Sequence, residues 1–278
     1  MTKLLSAFLL ILSLPVTSHA GMANAYQATG HLGLEVTGVA GGNVPLVTGT
    51  LTLTSNIPAT AMIKFATLYA SQTNQGTGLD ATFAGNNLGT VGPTGTDVQL
   101  LGMYSYHWPV QTFILPGQNS YNFTIGFNTM NGASVAGVAL VVVWEELILE
   151  PTRTITVFDG MQQVGESGQE TETVSFSSST AGATEVWVFT VNDDNSATNE
   201  TVSYNSNTIG GPLDRNLGFD ASLLKMVNVQ SVASTNSLSI NTMADHMGWM
   251  VGAAAITWPP VGVEGTTWGT VKELYRRP

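Results

Sequence analysis

Cysteine is absent from the chain, which excludes thiol nucleophiles, thiolate metal sites and disulfides together. Apart from His19 near the start, the imidazoles are His31, His107 and His246. No Gly-x-Ser-x-Gly elbow, helical zinc-binding His pair or phosphate-cradling glycine loop accompanies them. His107 stands in the aromatic run Tyr104, Tyr106, His107, Trp108. To act as a base it would have to recruit a distant Ser and Asp. No catalytic residue is assigned, and the chain is expected not to be an enzyme. The same four residues suit a sugar-stacking platform, because aromatic faces are broad, rigid and amphipathic. The competing reading is that Trp108, Val110, Thr112 and Ile114 alternate along a strand and supply core, where large aromatics are commonest.

A second cluster carries oxygen ligands. Asn192 to Ser196, followed by Asn199 and Glu200, makes Asp193, Asp194, Asn195 and Glu200 the calcium candidates, since calcium takes six to eight oxygens. The spacing lacks the alternation and glycine of an EF-hand loop. An Asx turn that satisfies its own backbone gives the same composition.

These residues need a frame, and the chain begins with what reads as an export signal. Met1 to Lys3 is followed by the apolar run Leu4 to Val16 and by Ser18-His19-Ala20 before Gly21, the three regions of a signal peptide. Residues 1–20 are expected to be removed, leaving a secreted, periplasmic or cell-surface protein. The apolar run is shorter than the ~20 residues that span a bilayer, and no membrane span is expected in the mature chain. That chain carries seven basic against nineteen acidic side chains. Nucleic acid is a poor partner for such a balance.

Strand periodicity dominates. Val47, Gly49, Leu51 and Leu53 alternate with Thr48, Thr50, Thr52 and Thr54, the pattern of a half-buried strand with a wet threonine face. Val135 to Trp144 is continuously apolar, as a strand covered on both faces must be. Turn clusters such as Gly92-Pro93-Thr94-Gly95 and Pro116-Gly117-Gln118-Asn119 separate the runs. The fold class is therefore all-β, of jelly-roll or Ig-like sandwich type.

An internal repeat refines this reading. Ala61 to Ala70 and Ala81 to Gly89 have counterparts at Ala183 to Asn192 and Val202 to Gly210. Asn119 to Ile125 and Ala136 to Trp144 correspond in the same order to Asn236 to Ile240 and Val251 to Trp258. The expected organisation is a first sandwich at 21–148, a related second sandwich at 149–260, and a tail at 261–278. The join around Glu145 to Pro151 is short, so the two halves should touch. In the tail, Trp268, Val271, Leu274 and Tyr275 fall on one face of a short helix that Thr267 can cap; so short a helix must dock to persist.

The run Val138 to Trp144, then Thr152 to Gly160 ending in Asp-Gly, then Phe189 to Asp194, resembles an uncharacterised domain family of secreted bacterial and methanogen surface proteins. The resemblance spans most of residues 45 to 258 and implies a surface β-sandwich; it carries over no ligand or catalytic residue. The expected function is a secreted or cell-surface structural or adhesive protein, a subunit of an extracellular assembly. Its partners would be other copies of itself or other surface proteins. A carbohydrate-binding module, with glycans as partners, is the alternative. Calcium is the one cofactor considered.

Overall fold

The computed structural model describes residues 21–42, 44–97, 102–127, 133–147, 151–165, 171–192, 200–213, 217, 221–242 and 246–259. Residues 1–20, expected to be a signal peptide, and the tail with Trp268, Val271, Leu274 and Tyr275 lie outside the described residues. Those residues form an all-β protein of four antiparallel sheets, with one short 3-10 turn at Gln111–Phe113. No helix among them is long and apolar enough to cross a membrane.

Sheet 1 has the order β3-β9-β5-β6, made of β3 (Leu46–Thr52), β9 (Ser120–Gly126), β5 (Leu79–Phe83) and β6 (Asn86–Val91). Sheet 2 runs β2-β10-β4-β8-β7, from β2 (Leu32–Ala40), β10 (Ser134–Glu145), β4 (Met62–Thr73), β8 (Met103–Pro109) and β7 (Gly95–Asp97). Sheet 3 runs β1-β11-β18-β13-β16, from β1 (Gly21–Gly30), β11 (Arg153–Val164), β18 (Met247–Thr257), β13 (Gly182–Val191) and β16 (Ala221–Ser231). Sheet 4 is β12-β17-β14-β15, from β12 (Thr171–Ser177), β17 (Thr235–Asn241), β14 (Thr201–Tyr204) and β15 (Asn207–Gly210).

Three apolar cores separate these sheets into layers. Leu51, Phe83, Phe123 and Leu140 belong to a core between sheets 1 and 2. Val174, Tyr204, Leu238 and Ile256 belong to another between sheets 3 and 4. Between sheets 2 and 3 lies the third, with Leu34, Val141, Val157, Phe189 and Ala253. The two inner sheets are therefore covered on both faces. That is why β10 and β18, second or third in their sheets, read as unbroken apolar runs in which every residue up to Trp144 and Ile256 is buried. Outer strands such as β3 and β12 alternate instead, because one of their faces meets water.

The inner sheets approach closely because glycine lies between them. A Cβ on Gly38 of β2 would sit 2.5 Å from Cε2 of Phe189 on β13, and one on Gly137 of β10 would sit 2.7 Å from Cγ1 of Val191. Side chains of sheet 3 thus occupy space that sheet 2 leaves open.

One strand is placed against its sequence order. β1 precedes β2 by the single residue His31, yet β2 edges sheet 2 while β1 pairs antiparallel with β11 at the edge of sheet 3, from Gly21↔Met161 to Gly30↔Arg153. Without β1, the order β11-β18-β13-β16 parallels β2-β10-β4-β8, as β12-β17-β14-β15 parallels β3-β9-β5-β6.

Candidate functional site

Strand alternation on β8 separates the four aromatic candidates. Tyr106 and Trp108 point into the core between sheets 1 and 2, 0% and 2% exposed, with their rings stacked at 6.4 Å. The Trp108 indole N–H donates to the Gly89 carbonyl at 3.3 Å, and the Tyr106 hydroxyl lies 2.5 Å from Oε1 of Gln72. Burial raises the Tyr106 hydroxyl pKa, with Tyr104 contributing. Tyr104, half-buried, packs against the same core. Ala70 and Gly95 flank β8 in register opposite Tyr106 and Ser105, so the strand is covered on either side. The stacked faces of Tyr106 and Trp108 serve packing, and Trp108, Val110 and Ile114 are core residues, but they do not alternate along one strand: β8 ends at Pro109, and Thr112 is exposed in the 3-10 turn Gln111–Phe113.

His107 turns the other way, toward sheet 3. Its Nδ1 stands 3.5 Å from Oδ2 of Asp159 on β11. The same oxygen accepts the Tyr69 hydroxyl at 3.0 Å, and the Tyr69 and His107 rings meet edge to face. Burial first, then the Asp159 charge, push the Tyr69 hydroxyl well above its ordinary pKa of 10.0. β11 bulges here between Asp159 and Gln162, and Gly160 takes φ +149°, a conformation that favours glycine. Just beyond, the Gln163 amide N–H donates to Oδ2 of Asp97 at 2.9 Å, and its side-chain Nε2 donates to the Asp97 carbonyl at 2.8 Å. Both residues are buried, so these bonds clamp β7 of sheet 2 to β11 of sheet 3. Sequence reasoning missed Tyr69, Asp97, Asp159 and Gln163. Only Asp159-Gly160 carried a local signal, that of a turn.

Asp193, Asp194 and Asn195 lie outside the described residues. Glu200 is 1% exposed, and its Oε2 accepts the Leu213 amide N–H at 2.8 Å. Among the described residues no three His, Cys, Asp or Glu side chains stand together as a metal site.

The outermost faces carry the other distinctive chemistry. Sheet 4 turns Thr171, Thr173, Ser175 and Ser177 of β12 outward beside Asn241, Ser239, Ser237 and Thr235 of β17, with Thr201 and Ser203 of β14 continuing two of the rows. Hydroxyls bond across strands, Thr173 to Ser239 at 2.8 Å and the Asn241 amide to Thr171 at 2.5 Å. The one charged side chain in these strands, Glu172, lies among the inward-alternating positions. Burial, then the Asp97 charge, raise its carboxyl pKa above 4.5. Sheet 1 repeats the pattern with Thr48, Thr50, Thr52, Asn122 and Thr124, where Thr50 donates to Oδ1 of Asn122 at 2.8 Å. Leu46, 58% exposed, and Asp80 border a shallow cleft of about 530 Å³ on this face, with Asn87, Thr90 and Phe127 in its walls.

No family model matches the chain. No curated protein matches it either. Solved structures that match it distantly include a conserved protein of unknown function from Pseudomonas aeruginosa PAO1, at 9% identity and TM-score 0.32, covering 86% of this chain and 90% of that one. An isomalto-dextranase of Arthrobacter globiformis T6 solved with panose has 12% identity and TM-score 0.24 over 77% of this chain and 36% of that one. A Pleurotus ostreatus lectin solved with GalNAc has 12% identity and TM-score 0.21 over 87% of this chain and 83% of that one. These likenesses are too distant to assign a function.

Proposed function

We propose that the chain is a secreted or cell-surface structural or adhesive protein, a subunit of an extracellular assembly, built from two tandem related sandwiches. The observation that carries this reading is the pair of hydroxyl- and amide-rich faces on sheets 1 and 4, at opposite ends of a stack with three cores. Hydrogen-bonding arrays in which Asp80 of sheet 1 is the one outward charge suit adhesion through many weak, mostly neutral contacts, and the clamped seam makes the stack one stiff body. The parallel strand orders of sheets 2 and 3, and of 1 and 4, support duplication of one sandwich. The surface-domain resemblance of Val138 to Trp144 and Thr152 to Gly160 points the same way.

Fractionating the producing cells and imaging the purified protein test this. The expected result is protein on the cell surface or in polymers. The double variant Thr173→Lys, Ser203→Lys should stay folded yet lose attachment or assembly. Free monomer in the medium at every concentration overturns the reading.

A glycan-binding reading rests on the sheet 1 cleft, where Asp80, Asn87 and Thr90 supply hydroxyl partners beside Phe127. Glycan-array binding lost in Asn87→Ala would favour it.

A further inference from the structure

Strand β1 is an edge strand that its own sandwich does not use. It lies immediately before the first half in sequence and extends the β11 edge of sheet 3, outside the strand pattern that sheets 2 and 3 share. Its backbone pairs with β11 over its whole length, yet none of its ten residues is fully buried. Its side chains are anchored only in part: Ala25, Tyr26 and Ala28 lie half-buried against the central core and Met22 against the core of sheets 3 and 4, with Tyr26 and Phe65 ring centroids 5.1 Å apart, Thr29 against Thr154 at 2.8 Å, and Gln27 Nε2 donating to the Ser177 carbonyl at 3.0 Å. The strand holds neither charge nor proline, two of the devices by which edge strands discourage intermolecular pairing, and its ladder is interrupted once, between Asn24 and Tyr26.

The joint to β2 is equally telling. His31 alone carries the chain from one inner sheet to the facing one, with its carbonyl held by the Glu146 amide N–H at 3.0 Å. A hinge of one residue at a bend is the kind that favours exchange between copies. Opened straight, β1 and β2 make a continuous extended segment of roughly 60 Å.

We propose that β1 is an exchangeable strand, which leaves its own β11 and pairs in the same register with β11 of a second copy of this chain. The occupant follows from the structure, because β1 is the sequence that the β11 edge is seen to accept. The ladder formed in trans repeats the ladder lost in cis. Concentration and the relief of the His31 bend therefore decide between them. Donor and acceptor are different surfaces, so the contact is heterologous: it closes as a reciprocal dimer or continues as an open filament. This deepens the assembly reading above and rests on it.

The test uses the full mature chain, which has no cysteine of its own. Thr29→Cys and Thr154→Cys are near-isosteric single variants at positions paired across β1 and β11. Differently tagged, the two are mixed and oxidised. The expected result is a mixed disulfide that rises about tenfold or more over a hundredfold concentration range, as a bimolecular exchange requires. The double variant, oxidised as a dilute monomer, should be locked in cis and fail to assemble until reduced. Assembly by the locked monomer at the wild-type level, or wild-type assemblies without mixed disulfide, sinks strand exchange and leaves the assembly reading standing. Wild-type protein that stays monomeric throughout sinks both. Circular dichroism of each single variant verifies that the fold is intact before mixing.

Discussion

The hydroxyl of Tyr69 on β4 donates to Asp159 on β11 at 3.0 Å, joining sheet 2 to sheet 3 across the central core. Tyr69 is 1% exposed, so the bond works in a weakly screened setting, and His107 approaches the same carboxylate from the more open side. With the Asp97–Gln163 clamp it forms part of the polar content of a mostly apolar seam, beside buried Thr67, Ser71 and Ser105.

Tyr69→Phe should lower the thermal midpoint, with a loss of about 1–3 kcal/mol for a buried bond to a charged acceptor. The pH dependence carries a sign. The folded-state pKa of Tyr69 lies above its ordinary 10.0, so its contribution is fully present below pH 10 and is lost as pH rises toward the folded value. Melting followed between pH 8 and pH 11 should show a smaller alkaline decline for Tyr69→Phe than for wild type. Parallel curves would count against the role given to this hydroxyl.

Glu172 predicts the opposite kind of variant. Its raised folded pKa means that its contribution is fully present below pH 4.5 and is lost as pH rises through the folded value. At neutral pH the charged carboxylate is thus a burden, imposed by desolvation and by Asp97. Glu172→Gln should raise the melting temperature at pH 7 and leave it nearly unchanged near pH 4.

Gly38→Ala tests the spacing of the inner sheets. The added Cβ meets the Phe189 ring at 2.5 Å, and overpacking of this kind costs typically about 1–3 kcal/mol. The companion Phe189→Leu in the Gly38→Ala background should recover part of the loss. A double-mutant cycle in urea measures the coupling.

Trp108→Ala should act on stability. Its indole is 2% exposed within the core between sheets 1 and 2, and truncating a buried Trp costs about 3–5 kcal/mol. Denaturant unfolding should show that loss, and a variant that melts like wild type would place Trp108 at a surface after all.

The sequence by itself determined the strand character of the chain and the burial of its strongest runs. Alternation at Leu46 to Thr52 has period two, and the structure gives that strand one dry and one wet face. The unbroken apolar stretch Val135 to Trp144 admits no wet face at all, and β10 has none. The threonine row of β3, Thr48 to Thr52, was legible for the same reason; the hydroxyl rows of sheet 4 were not read from the sequence.

Which of two buried faces a residue joins was decided only by tertiary structure. On β8 both faces are covered, so alternation alone could not tell that Trp108 enters one core while His107 meets Asp159 at the seam. Asp159 is more than fifty positions from His107 and ninety from Tyr69, and non-local pairing leaves no mark in the residues between. The placement of β1 has the same cause. Small and polar residues with only Met22 and Tyr26 among them specify an edge strand, while the partner edge is chosen by backbone hydrogen bonds, which nearly every sequence can make.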